Sequence, residues 1–567
     1  MCDFAKLLTA EGEALPEIPW NVYPRPQLVR DSFLCLNGIW DFSVTNGDEP
    51  DSYNEKILVP FAPETILSGI NKTFDEDTVL WYKRSFSLPD GFIKEKTILH
   101  IGAADQYATV YLNGYEIGSH SGGYEHFSFD ISNYLKKENQ LIIKVWDRLS
   151  AFTLPYGKQS QNRGGMWYTP TSGIWQTVWV ESVPKNYIEK LKIDINESGA
   201  DITVFGAENG IITVATPTGN AEFNLENEKA EIRFNNPILW SPENPYLYYF
   251  KVKTETDEVS SYFAIRTLEI KTIKGIPRLC LNSKPYFFHG LLDQGYYSDG
   301  LLTPASPKAY EKDILDMKSL GFNMLRKHIK IEPEQFYYDC DRLGMVVFQD
   351  MVNNGHYSFL RDTALPTIGI KQLCDKNMHK QTATREAFVL SMEKTVSSLY
   401  NHPSICYWTI FNEGWGQFCS SEMYQHLKSI DRTRFIDSAS GWFSGGMTDV
   451  DSEHIYFKKL KLKIKNKPLV LSEFGGYSYK PENHVFNLKK TYGYGKFKTR
   501  EEFVNAFCNL YKNQVLPLKK SGLSAAVYTQ ISDVEDETNG LLSFDRKVLK
   551  ILPEEFLKLS KELTSEE

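Results

Sequence analysis

Two periods of apolar residues divide the chain. Over residues 1–184, short runs alternate apolar and polar positions, the period of a half-buried strand; Thr97–Ile101, Tyr107–Leu112 and Leu141–Val145 are such runs. Asn113-Gly114 follows YATVYL and predicts a tight hairpin, because this pair tolerates the left-handed backbone of a two-residue turn. Many short strands broken by turns predict a β-sandwich of jelly-roll type. Residues 185–270 alternate again, in Tyr187–Ile195, Gly210–Ala215 and Tyr246–Thr254, over a length that fits one immunoglobulin-like β-sandwich.

Over residues 271–567 the period lengthens. Pro307–Leu320 spaces its apolar residues as a helix does, and Gly321 ends it. A strand over Phe322–Leu325 follows, then a helix over Pro333–Leu343 and a strand over Met345–Gln349. A third helix, Ala387–Asn401, precedes Ile405–Phe411, and Pro468–Ser472 and Leu523–Thr529 are further apolar runs. Alternating βα units over this length predict a parallel (β/α)8 TIM barrel. A doubly wound open sheet competes, but no GxGxxG turn follows a first strand.

The length, 567 residues, suits about three or four domains. With 42% hydrophobic and 24% charged residues the chain has material for several cores, which excludes the disordered class. Lys and Arg number 63 and Asp and Glu 72, a net charge of −9 that gives no reason to expect nucleic acid as a partner. The one basic run, Lys458–Lys467 (KKLKLKIKNK), reads as a solvated lysine-rich face. No stretch approaches the roughly 18 apolar residues of a membrane span. The N-terminal segment carries acidic residues where a signal peptide needs a positive start, so the expectation is a cytoplasmic protein. Cys2, Cys35, Cys280, Cys340, Cys374, Cys406, Cys419 and Cys508 form no CxxC pair and read as reduced thiols, with no zinc or redox centre. No cofactor is implied.

Two acidic residues stand where barrel chemistry is carried, at the carboxyl ends of apolar strands. Glu413 follows WTIF in WTIFNEGWG, and Glu473 follows LVL in PLVLSEFGG. Both precede glycines that permit sharp turns. The 60 positions from one to the other leave room for about two strands and two helices, so the pair can face each other across the mouth. Glycoside hydrolysis needs two carboxyl groups, one to protonate the departing oxygen and one to attack or to activate water. Trp415, Trp442, Tyr456 and Tyr477 lie near these strand ends, and aromatic faces suit the apolar face of a sugar. A lone glutamate in such a place fits a helix cap or an ion pair equally well.

At these residues the chain resembles glycoside hydrolase family 2, which holds β-galactosidases, β-glucuronidases and β-mannosidases. The resemblance covers nearly the whole length. LNGIWDF (Leu36–Phe42), WYKRSF (Trp81–Phe86) and SGIWQTVWVE (Ser172–Glu181) are similar to the family's sugar-binding jelly roll. WSPENPYLY (Trp240–Tyr248) and FAIRTLEI (Phe263–Ile270) are similar to its immunoglobulin-like domain. Asn412-Glu413, SEFGG and DVEDETNGLLSFDRK (Asp533–Lys547) are similar to its barrel motifs. The resemblance implies a retaining exo-acting β-glycosidase with a carbohydrate substrate, Glu413 as acid/base and Glu473 as nucleophile. It implies that Asn412 holds the sugar 2-hydroxyl, that Tyr456 contacts the nucleophile, and that Arg326 and His328 stand near the reactive centre. Asp293 matches a loop bordering the sugar site, and Asp350 lines the pocket or anchors Arg326.

The departures bear on the sugar. Leu292-Asp293-Gln294 replaces the family's Arg-His-Glu, and Lys327-His328-Ile329 its Ser-His-Tyr. The strand end QDMVNNGH offers no equivalent of the magnesium ligands of large β-galactosidases, and DETNG (Asp536–Gly540) stands where many β-glucuronidases have Asn-x-Lys. Galactoside is the first expectation, from its commonness in the family. A glucuronide, arabinopyranoside, galactofuranoside or galacturonide is the alternative, and a catalytically inactive carbohydrate-binding protein is a third. The length leaves a homo-oligomer open.

Overall fold

The computed structural model describes residues 4–367, 370, 375–443, 446–456 and 458–565. Cys2 and Cys374 lie outside them. Cys35, Cys280, Cys340, Cys406, Cys419 and Cys508 are free thiols.

The N-terminal part is a sandwich of two antiparallel sheets. One runs in the order Glu55–Val59, Gly38–Thr45, Val79–Phe86, Asn139–Trp146, Tyr107–Leu112 and Tyr115–Ser121. The other has the strands Leu34–Cys35, Val178–Val183, Lys96–Ile101 and Phe127–Asp130. Trp40, Phe42, Tyr82, Leu99, Val110 and Ile143 fill the space between them. The predicted hairpin is present: Tyr107–Leu112 buries alternate residues and Leu112 pairs with Tyr115. Asn113 and Gly114 between them have φ of 54° and 87°.

A second, smaller sandwich follows. Lys190–Asn196, Gly199–Phe205 and Lys229–Arg233 form one sheet; Gly219–Leu225, Gly210–Thr216, Tyr248–Lys253 and Glu258–Phe263 form the other. The strand Leu268–Ile273 runs across the expected boundary at 270 and pairs with Ile276–Leu281 on the way to the barrel.

The last part is one eight-stranded parallel sheet curled nearly shut. Its strands are β1 (Phe288–Asp293), β2 (Met324–Lys327), β3 (Val346–Asp350), β4 (Ile405–Thr409), β5 (Phe435–Asp437), β6 (Asp451–Ile455), β7 (Leu469–Gly475) and β8 (Leu523–Thr529). The order is β5-β4-β3-β2-β1-β8-β7-β6. At the seam, the Asp449 N–H donates to Ile436 O (2.9 Å) and the Ile436 N–H to Asp449 Oδ2 (2.9 Å). Strands β3, β4 and β8 are buried at every position, because side chains fill the barrel inside and helices cover it outside. β2 lies two residues later than the apolar run Phe322–Leu325 predicts, so that the charged Arg326 and Lys327 complete an inner strand.

The N-terminal sandwich leans on the mouth of the barrel. The Tyr156 N–H donates to Asn353 O (3.1 Å) and its hydroxyl to Gly355 O (2.9 Å), both just beyond β3. Arg163 pairs with Glu535 and Asp536, each at 2.7 Å, beyond β8. No helix among the described residues is long and apolar enough to cross a membrane.

Candidate active site

The turn after β4 presents Glu413 inward. Its φ is 51°, a left-handed conformation rare for a residue with a side chain, and its N–H donates to Ser440 O (2.9 Å) beyond β5. Gly414 follows at φ 80°, and a Cβ there would stand 2.4 Å from the Phe443 ring. Glu473 lies within β7 at a register shift against β8. His454, its partner on β6, follows a shift between Glu453 and His454. Such bulges re-aim side chains, and here they bring His454 and Glu473 beside Glu413.

One histidine stands between the two glutamates. His454 Nδ1 is 2.7 Å from Glu413 Oε1, and Nε2 is 3.6 Å from Glu473 Oε1. An oxygen of each carboxylate and a nitrogen of His454 all lie within 4.8 Å of one another. Among the described residues this is the group whose donors and spacing suit a metal ion, and its members already hold one another.

Arg326 fixes the floor. Nε donates to Asp350 Oδ1 (3.0 Å), Nη1 to Glu473 Oε1 and Ser472 O (both 3.0 Å), and Nη2 to Asn412 Oδ1 (2.9 Å). His328 Nδ1 meets the second oxygen of Asp350 at 2.8 Å. Ser440 Oγ lies 3.0 Å from both His454 Nε2 and Ser472 Oγ. The Tyr456 hydroxyl donates to Glu473 Oε2, and its ring stacks on Tyr494 at 4.3 Å.

These contacts set the charges. Burial alone would raise the Glu473 carboxyl, but His454, Arg326 and His328 beside it, with the Tyr456 hydrogen bond, bring it down to about 2. Asp350 is likewise lowered against its burial, chiefly by Arg326. Burial lowers His328 to about 4, so its imidazole is neutral at neutral pH. Burial and the Glu473 charge raise the Tyr456 phenol well above its ordinary value, keeping it a hydrogen-bond donor.

Asn412, Arg326, His328, Tyr456 and Asp350 thus converge on the two glutamates. Asp293 goes elsewhere: it pairs with Lys327 (2.6 Å), whose ammonium also reaches Glu332 (2.8 Å), and makes no bond to either glutamate. Trp442 sits edge-on to His454, 5.7 Å away. Trp415 is almost wholly buried; Trp167 stacks on it at 5.2 Å and the Lys158 ammonium sits 4.7 Å from its ring centre. Tyr477 packs against Phe497 and Tyr528.

Sequence reasoning missed His454, Ser440, Tyr494 and Lys158. For His454 a signal existed: it stands two residues before Tyr456, and side chains two apart on a strand share a face. Lys158 comes from the other end of the chain. Its side chain is buried, and among the described residues its ammonium has ring neighbours, Trp415 and Tyr168, but no ion pair. It is also the strongest charge opposing the burial that lifts Glu537 to about 7.

The sugar binding domain model of glycosyl hydrolases family 2 matches residues 53–184, a second model of that family residues 180–266, and its TIM barrel domain model residues 273–541. The chain belongs to glycoside hydrolase family 2. A β-galactosidase of Thermoanaerobacter pseudethanolicus is 25% identical over 478 residues, 78% of this chain but 60% of that protein's length. Human β-glucuronidase is 24% identical over 516 residues, 75% of this chain and 74% of its own. The solved β-D-glucuronidase of Dictyoglomus thermophilum shares the fold, with TM-score 0.73 and 19% identity over 95% of this chain and 98% of that one.

Proposed function

We propose that the protein is a retaining exo-β-glycosidase in which Glu473 is the nucleophile and Glu413 the acid/base. The carrying observation is the spacing: an oxygen of each carboxylate lies within 4.8 Å of the other, a close approach that favours direct attack, which needs carboxyls about 5 to 5.5 Å apart, over the wider gap of an inverting site. Glu473 is held ionised by Arg326 and Tyr456 and attacks the anomeric carbon. Glu413 gives its proton to the departing oxygen, then takes one from the water that opens the glycosyl ester. Arg326 engages the Asn412 amide oxygen, which turns the amide NH2 toward the pocket to meet the sugar 2-hydroxyl. The neutral His328 and Trp442 border the same space.

A β-galactoside is the first substrate reading, supported by the name of the Thermoanaerobacter relative. A hexuronide is the second, favoured by Lys158, whose buried ammonium forms no close ion pair among the described residues, feels Glu537 only at longer range, and would be offset in its desolvation by a sugar carboxylate. A panel of para-nitrophenyl β-glycosides, with galactoside, glucuronide, galacturonide and mannoside side by side, separates them. Glu473→Ala should lose at least about a thousandfold in kcat on whichever is cleaved, and azide should restore turnover with inverted product. Full activity in Glu473→Ala without azide overturns the assignment. Lys158→Met should depress a uronide far more than a neutral glycoside if the second reading holds.

A further inference from the structure

The lysine-rich run leaves the mouth of the barrel two residues after Tyr456 and ends two residues before β7 begins at the opposite rim. In a βα barrel each such connection runs down the outer wall. This one forms neither helix nor strand, and its burial alternates at period two. Leu460, Leu462 and Ile464 pack against the main core, while Lys459, Lys461, Lys463 and Lys465 between them are exposed. The ends are pinned: the Leu460 N–H donates to Gln514 Oε1 (2.9 Å), and Ile464 lies against Gly522, just before β8. The alternation is that of an extended chain, on which side chains two apart stand roughly 7 Å from each other, a spacing that would set the four ammonium groups in a row about 20 Å long. Lys458 is exposed at the mouth end.

Among the described residues none of these five lysines joins an ion pair. Neighbours at that spacing lie within the Debye length of about 8 Å and repel one another. The chain as a whole carries −9, so the row is a local reversal of charge. Scattered surface lysines would give no line and no fixed relation to the pocket; here the apolar alternation fixes the line, and Tyr456 ties its upper end to Glu473.

We propose that the row from Lys458 to Lys465 is a docking track for an acidic polysaccharide. Its anions match a linear cationic row, and a chain laid along it keeps its end close to the pocket. That raises the effective concentration of the terminal sugar into the millimolar range without any new contact at the reacting bond. The docking goes beyond the glycosidase reading, and only the delivery of the chain end rests on it.

The test uses the full chain and K459Q/K461Q/K463Q/K465Q, with polygalacturonate as the probe, dextran as neutral control, and duplex DNA and anionic phospholipid vesicles as rivals. The wild type should be retarded in gels containing polygalacturonate and not in dextran. Its Kd should rise about tenfold in the variant, and steeply between about 50 and 300 mM NaCl. Equal hydrolysis of a small nitrophenyl glycoside by both proteins shows that the variant is folded. Equal polygalacturonate binding by both overturns the proposal, as does tighter binding of DNA or vesicles than of polygalacturonate. Polygalacturonate binding without hydrolysis of any glycoside leaves the track standing and removes the glycosidase reading.

Discussion

The two glutamates differ by what surrounds each oxygen. Glu473 is met by a guanidinium, a phenol and a histidine, all of which favour its charge. Glu413 meets the other nitrogen of the same histidine and otherwise faces the pocket. In the double displacement proposed above, negative charge would leave Glu473 as the ester forms and arrive on Glu413 as its proton departs. His454 touches both ends of that transfer, so its replacement should disturb both steps. The Tyr456 hydroxyl acts on one end only. A hydrogen bond to the charged form lowers a carboxyl pKa, so Tyr456→Phe should raise that of Glu473. The acid limb of kcat/KM should move to higher pH, while the basic limb stays in place. Because the Glu473 carboxyl is depressed in the folded state, it also contributes stability above its unfolded value, and this is lost as the pH falls from about 4.5 toward about 2. Tyr456→Phe should narrow that window from below, which acid-unfolding midpoints would register. An unmoved acid limb would show that Tyr456 does not act through Glu473.

At the scale of elements, short irregularities do the aiming. Glu413 stands at positive φ, Gly414 turns the chain beside Phe443, and shifts in register turn Glu473 and His454 inward. Gly414→Ala would set a methyl against the ring in a backbone region that L residues avoid, at a cost of about 1 to 3 kcal/mol. The expected result is a melting temperature lower by a few degrees and a much larger fall in kcat, since Glu413 would lose its position. Equal melting and activity would mean that the turn relaxes freely. The same irregularities explain what could be read beforehand. Both glutamates were legible, because each ends an apolar run and precedes glycine. Strands β5 and β6, FID and DSEHI, were not: the first is only three residues long and the second mostly polar, so no period-two apolar signal marks them, and His454 was hidden with them. Trp415 marks another limit. Its place beside Glu413 suggested a sugar platform; Trp167 stacks on it, and sequence spacing cannot reveal a partner almost 250 positions away.

Across the whole molecule, the N-terminal sandwich behaves as part of the barrel. Trp20, Phe61, Tyr124, Tyr168 and Trp175 belong to the same buried cluster as Tyr296, Tyr310, Leu325 and Trp408 of the barrel. The Trp20 indole donates to Pro304 O at 2.8 Å, and Tyr168 meets Tyr296 edge-on at 4.7 Å. Lys158, on the N-terminal segment, stands over Trp415 of the barrel by the same contact. A domain able to fold alone would keep its core within its own chain segment and meet its neighbour through a more polar surface. Residues 271–567 expressed alone would instead expose these aromatic contacts to water. That fragment should be aggregation-prone, and the intact chain should lose its sandwich and barrel together. Scanning calorimetry of the full protein should therefore show the barrel and the N-terminal sandwich melting in one shared transition, with glycosidase activity lost in the same interval. A barrel transition well separated from that of the sandwich, or a soluble fragment 271–567 with full activity, would show that the shared core contributes little.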